Sequence, residues 1–101
     1  MLQEKYRDVS DEQLIAQLRD GQTEVMDYLM EKYKNLVRKR ANALYLIGGE
    51  TEDLIQEGFL GLLTAIRSFA PERDAAFRTF AEVCIRSRLH TAVRAAQGGK
   101  H

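Results

Sequence analysis

Residues 53–63 read Asp53-Leu54-Ile55-Gln56-Glu57-Gly58-Phe59-Leu60-Gly61-Leu62-Leu63. Each of the two glycines inside this helix-forming run costs about 1 kcal/mol relative to alanine. Helices accept that cost where another backbone must come close, so Gly58 and Gly61 predict a tightly packed neighbouring helix. Apolar residues fall nearly all round the helix: Leu54, Ile55, Phe59, Leu60, Leu62, Leu63 and, one turn on, Ile66. One stripe serves the domain's own core. The remainder, beside Asp53, Gln56 and Glu57, suits either a surface that receives another protein's helices or a central helix covered on all sides. The pattern alone favours neither.

Working outward, Thr51 is a good N-cap, with Glu52 and Asp53 in the first turn where the helix dipole favours anions. This helix should run to about residue 69, closed by Ala70-Pro71, the only proline of the 101 residues. Upstream, a first helix is expected over about 11–20. Ser10 and Gln13 form a capping box, Leu14, Ile15 and Leu18 an apolar stripe, and Gly21 a stop. A long second helix is expected over about 22–46. Met26, Leu29, Met30, Tyr33, Leu36, Val37, Ala41 and Leu44 recur there at spacings of three and four, and Gly48-Gly49 ends it. Its exposed face carries Lys32, Lys34, Arg38, Lys39 and Arg40.

Downstream, a fourth helix is expected over about 77–97, with Gly98-Gly99 after it. Phe77, Phe80, Ala81, Cys84, Ile85, Leu89, Ala92, Val93 and Ala96 form one apolar face, and Arg78, Glu82, Arg86, His90 and Arg94 a polar line. The expectation is therefore an all-α single domain over residues 1–101, a compact bundle of about four helices.

Composition narrows the function. Apolar residues make up 45% of the chain, which suits a globular domain. No apolar run can cross a bilayer and no signal segment begins the chain, so a cytoplasmic protein without a membrane partner is expected. The single cysteine, Cys84, has no partner for a disulfide, and His90 and His101 are too few and too far apart for zinc. No nucleophile–base arrangement can be drawn. Asp53 and Glu57, four apart, lack the histidines of a metal-carboxylate bundle. Neither an enzyme nor a cofactor is expected; a metal-dependent helical-bundle enzyme is the alternative that bound metal would reveal.

Net charge is zero but unevenly spread. Residues 1–72 hold 9 Lys/Arg against 13 Asp/Glu, and residues 73–101 hold 6 against 2. The basic end is where a polyanion would bind, unless this is ordinary surface charge. Arg73, Arg78, Arg86, Arg88 and Arg94 lie there with Phe77 and Phe80 and with Thr79, Ser87, His90 and Thr91. Arginines track phosphates and rings stack on bases, which is how single-stranded nucleic acid is held. The competing reading is a solvated helix whose two phenylalanines belong to the core.

These residues also carry a family resemblance. Asp53-Leu-Ile-Gln-Glu-Gly58, then Gly61-Leu62, Ala65 and Phe69, resembles the second conserved region of the sigma-70 family of bacterial RNA polymerase sigma factors. The continuation through Pro71, Arg73, Phe77, Thr79-Phe80-Ala81 and Ile85-Arg86 is similar to that family's next pattern. The likeness covers the chain from about Ser10 onward. Leu29-Met-Glu-Lys-Tyr33, Leu46-Ile-Gly-Gly49 and Ala81-Glu-Val-Cys-Ile85 resemble the sporulation sigma-H type in particular.

The resemblance implies a fold of the sigma region 2 type and a set of roles. The helix of residues 53–63 would dock on a coiled coil of the polymerase β′ subunit, with Asp53, Gln56, Glu57, Phe59 and Leu63 as the contacts. Arg73, Phe77, Thr79 and Phe80 would help melt the minus-ten promoter element, capturing an unstacked base of the non-template strand. Arg86, Ser87 and His90 would face the upstream duplex, with Arg88 and Arg94 nearer phosphates. Core RNA polymerase and promoter DNA, duplex and single-stranded, are thus the implied partners, and an anti-sigma factor is a further class the family admits.

The chain also departs from the family. Housekeeping members carry two tryptophans where this chain has Val83 and Cys84, which puts the strength of melting and the base-reading residues in doubt. The family's second promoter-reading domain is absent from these 101 residues, so an isolated or truncated domain is expected. The alternative function is a degenerate sigma-like regulatory protein that binds partners without promoter activity.

Overall fold

The computed structural model describes residues 2–44, 51–70 and 75–98. All regular structure among them is helical: α1 (Leu2–Tyr6), α2 (Asp11–Arg19), α3 (Glu24–Lys32), α4 (Lys34–Asn42), α5 (Thr51–Ser68) and α6 (Phe77–Gly98). The all-α expectation is met, with more helices than the four anticipated.

Local signals near α2 act as expected. The Gln13 N–H donates to Ser10 Oγ at 3.1 Å, and the Ser10 N–H to Gln13 Oε1 at 3.3 Å. Gly21 has φ +102, a left-handed geometry that glycine adopts without strain, and the chain turns there. The Gly48-Gly49 stop lies outside the described residues, as do Pro71 and Arg73.

The anticipated long second helix is interrupted at Tyr33, where φ −97 and ψ 3 leave helical values. Backbone bonding runs on through the break: the Tyr33 N–H reaches the Leu29 carbonyl at 3.1 Å, and the Val37 N–H the Tyr33 carbonyl at 3.0 Å. The side chain holds the bend. Tyr33 is buried, its hydroxyl donates to Asp11 on α2, and its ring meets Phe77 edge-on at 5.7 Å. Burial, reinforced by the Asp11 carboxylate, raises the Tyr33 phenol above its ordinary pKa. Sequence spacing alone could not show this, because the tether comes from another helix. Of the expected stripe, Leu29, Tyr33, Val37 and Ala41 are buried, while Met26, Met30, Leu36 and Leu44 pack partly covered around them.

Helix α1 was not anticipated. Tyr6 anchors it, edge-on to Tyr28 at 5.4 Å with its hydroxyl on Glu24 at 2.5 Å. Lys5 pairs with the same carboxylate at 2.6 Å. Hydrogen bonds from Lys5 and Tyr6 hold the Glu24 carboxyl below its usual range and raise both donors.

Helices α5 and α6 form an antiparallel hairpin. Phe69 meets Phe77, Gly61 faces Cys84 and Ile85, and Glu57 meets Arg88, so residue numbers fall along one helix as they rise along the other. The glycine expectation holds. A Cβ on Gly61 would lie 2.9 Å from the Cys84 carbonyl oxygen and 2.9 Å from Ile85 Cα. One on Gly58 would lie 2.8 Å from Val37 Cγ1. The glycines thus admit α4 and α6 of the same chain, and no room remains at these notches for a foreign helix. Leu54, Leu62, Ala65, Ile66, Ala81, Ile85 and Leu89 fill the seam, and no polar or charged side chain is buried among the described residues.

Candidate functional site

The 100° step of an α-helix sorts α5 into two sides. Leu54, Gly58, Gly61, Leu62, Ala65 and Ile66 face inward and are buried. Asp53, Gln56, Leu60, Thr64 and Arg67 face outward and are exposed. Ile55 and Phe59 are half-buried against the core, and Leu63, half-buried, lies seven residues from Gln56 on the outward side. Among the described residues, the alternative of a helix covered on all sides is therefore excluded. Leu60, 42% exposed amid Gln56, Asp53 and Thr64, is the apolar centre of the outward side.

Beside this face a groove of about 780 Å³ runs between α5 and α6. Asp53, Gln56, Glu57 and Thr64 line one bank, and Val83, Ser87, Arg88, Thr91 and Ala95 the other. Gly61 and Cys84 help to floor it, and burial raises the Cys84 thiol above its ordinary pKa. Glu57 and Arg88 bridge the banks at 2.7 Å. The wall is small and apolar with a charged rim, the chemistry that receives a helix from another protein.

The residues expected at nucleic acid divide three ways. Arg78, Thr79, Arg86, His90 and Arg94 are exposed on α6. Ser87 and Arg88 are exposed as well but turn into the groove shared with α5, joining the residues expected to dock protein. Phe77 is a correction: it is 0% exposed, packed between Tyr33 and Phe69, and offers no ring face for a base in this arrangement. Phe80 is half-buried and leans on Phe69 at 5.7 Å. The core reading holds for Phe77 because it opens α6 where three helices converge. Arg73 lies outside the described residues.

Sequence reasoning missed one constellation. Lys32, Tyr33, Asn35, Leu36 and Lys39 from the bent α3–α4 segment meet Arg78 of α6 around a second groove of about 320 Å³. Three cations and a tyrosine thus share one hollow. Lys39 and Arg78 each lie on the polar side of their own helix, and their meeting depends on the bend at Tyr33. Arg40 continues the basic surface and pairs with Glu82 at 3.6 Å, which also lies 3.9 Å from Arg78.

No group of three or more His, Cys, Asp or Glu side chains among the described residues could hold a metal. No described helix is long and apolar enough to cross a membrane.

Comparison with known proteins places these features in company. Residues 29–98 match the family described as Sigma-70 region 2. The RNA polymerase sigma-H factor of Bacillus subtilis is 40% identical over 97% of this chain, which covers 45% of that protein. The sigma-H factor of Bacillus licheniformis is 40% identical over the same share, covering 44% of its length. The RNA polymerase sigma factor RpoS of Coxiella burnetii is 35% identical over 79% of the chain and 23% of its own length. The chain thus spans less than half the length of these curated relatives.

Proposed function

The chain belongs to the sigma-70 family as a region 2 domain of the sigma-H-like kind, and from that premise we propose that it binds core RNA polymerase and opens the minus-ten element of promoters. The observation that carries this reading is the outward side of α5. Asp53, Gln56 and Leu60 line up in solvent beside an apolar groove, a surface that the described residues leave uncovered.

In this reading a coiled coil of the β′ subunit lies along α5, its apolar residues on Leu60 and its arginines on Asp53 and Glu57, with Gln56 hydrogen-bonding between them. Complementary charge favours encounter rate and register more than raw affinity. Phe59 backs the contact from a half-buried position on the core, and Leu63 adds a half-buried apolar side chain beside Gln56 and Leu60. The exposed Arg86, His90 and Arg94 meet the duplex, and phosphate contacts fix its position while base-edge contacts select sequence.

Melting needs an unstacked base to be held, since unstacking costs a few kcal/mol that capture must offset. With Phe77 in the core, the second groove suits that role: Lys39 and Arg78 neutralise phosphates around a hollow walled by Tyr33, with Lys32, paired to Asp11 at 2.7 Å, at its edge. Thr79 and Phe80 lie nearby on α6, and Arg73 precedes them in sequence. Work on polymerase places the protein in the cytoplasm, and an anti-sigma factor would compete for the same α5 face.

The test is binding of the chain to a β′ coiled-coil fragment. Gln56→Ala with Glu57→Ala should abolish it while leaving the helical signal intact; retained affinity overturns the reading. Val83, 49% exposed where housekeeping relatives carry an aromatic, favours a second reading, a regulatory protein that docks without opening DNA. Promoter-specific initiation by the full-length protein with core polymerase excludes it.

A further inference from the structure

Helix α2 lines neither groove, yet it touches both ends of the α5–α6 connection. Near its start, Glu12 Oε2 accepts the backbone N–H of Phe77, the first residue of α6, at 2.7 Å. At its end, the Arg19 guanidinium donates to the carbonyls of Ile66 at 3.4 Å, of Arg67 at 3.3 Å and of Phe69, the last turn of α5 and the residue after it. Seven residues separate Glu12 from Arg19, almost two turns, so both lie on one face of α2 about 10 Å apart along its axis. Ile15, fully buried, sits on that face between them.

The two contacts are chemically matched to what they hold. A helix leaves its first N–H groups and its last carbonyls without internal partners, positive at one end and negative at the other. Here a carboxylate meets the open N-terminus and a guanidinium the open C-terminus. Between the clamps lies the aromatic pair Phe69–Phe77, 5.4 Å apart and nearly perpendicular. The chain leaves α5 at one clamp and enters α6 at the other.

We propose that Glu12 and Arg19 are positioning residues for promoter opening. Helix α2 acts as a two-headed brace that sets the start of α6, the DNA-facing helix, against the end of α5, the polymerase-facing helix. This rests on the functional reading above. The brace acts at the Phe69–Phe77 end of the hairpin, while Asp53, Gln56 and Glu57 lie at the other. Its loss therefore disturbs the strand-holding groove at Arg78 and spares the polymerase contacts.

The experiment uses the whole chain and two probes, a fluorescein-labelled single-stranded DNA of randomised sequence and the β′ coiled-coil fragment, with amide hydrogen exchange at Phe77 as a third readout. Glu12→Ala should weaken DNA binding about fivefold, the scale of losing a helix cap, and speed Phe77 exchange by a like factor. Fragment affinity should stay unchanged. Arg19→Ala should give the same split without the Phe77 effect. Glu12→Gln, which keeps the acceptor and is the safer variant for folding, should recover most of the DNA binding. Equal loss of both partners in Glu12→Ala marks a merely structural role and overturns the inference, as does unchanged DNA binding. A wild-type chain that binds neither probe overturns the functional reading instead.

Discussion

Arg88 on α6 donates its Nε–H to the carboxylate of Glu57 on α5 at 2.7 Å, so the helix proposed for DNA and the helix proposed for polymerase meet in an ion pair. Both side chains are partly exposed, and such pairs contribute about 0–1 kcal/mol. A double-mutant cycle with Glu57→Ala and Arg88→Ala in urea should return a coupling within that range. Arg88→Ala also strips the cation from the docking face. Stopped-flow association with the β′ fragment should then speed up at low salt, and the gain should vanish at high salt as screening shortens to about 3 Å at 1 M. Slower association would show that Arg88 itself touches the partner.

The two glycines of α5 should respond differently to one methyl group. At Gly61 a Cβ meets backbone, the Cys84 carbonyl oxygen and Ile85 Cα, which cannot swing aside. Overpacking costs about 1–3 kcal/mol, only partly offset by the better helix propensity of alanine. Gly61→Ala should lower the melting temperature more than Gly58→Ala, whose nearest obstacle is the Val37 side chain. Pairing Gly58→Ala with Val37→Ala should be less damaging than the sum of the two. Thermal denaturation by circular dichroism measures all four variants.

Phe77 and Val83 lie on one helix at opposite extremes of exposure, 0% and 49%. Phe77→Ala should destabilise the fold by about 3–5 kcal/mol, as for a large buried aromatic. Val83→Trp should change stability by less than about 0.5 kcal/mol, being a surface substitution. It should also strengthen binding to single-stranded DNA by about 1 kcal/mol if a base stacks there. Unchanged affinity, read by fluorescence anisotropy, would place the strand's path elsewhere.

Alkaline pH should expose the tether at Tyr33. Its phenol is raised above the ordinary value of 10.0, so above that pH the unfolded chain gives up this proton while the folded chain keeps it. The unfolded state then binds fewer protons, and stability falls as pH rises past 10. Urea denaturation at neutral and alkaline pH should show Tyr33→Phe weaker than wild type at neutral pH, for want of the Asp11 bond, but losing less on the way up. Parallel losses in the two proteins would refute the assignment.

Much of the fold is legible wherever the cause is local. Ser10 and Gln13 bond to each other, Gly21 turns by its own φ, and the glycine spacing of α5 announces a close neighbour. The outward side of α5 is legible because one helix decides it, as along Asp53 and Gln56. What escapes is decided between helices. Tyr33 breaks an unbroken apolar rhythm because Asp11 holds it from α2. Phe77 fits an aromatic DNA pattern but opens its helix inside the core. Ser87 and Arg88 follow Arg86 in sequence yet turn toward α5, since neighbours on a helix point about 100° apart. The basic hollow formed by Lys39 and Arg78 depends on the bend at Tyr33, and so on a tether from a third helix.

Where Gly61 passes Ile85, α5 and α6 touch main chain to main chain, with no layer of side chains to yield between them. Side-chain layers cushion; bare peptide against peptide does not. A push delivered to α5 by an incoming partner would thus reach α6 as a rotation of one stiff lever, and the arginines at its far rim would swing through an arc set by that pivot.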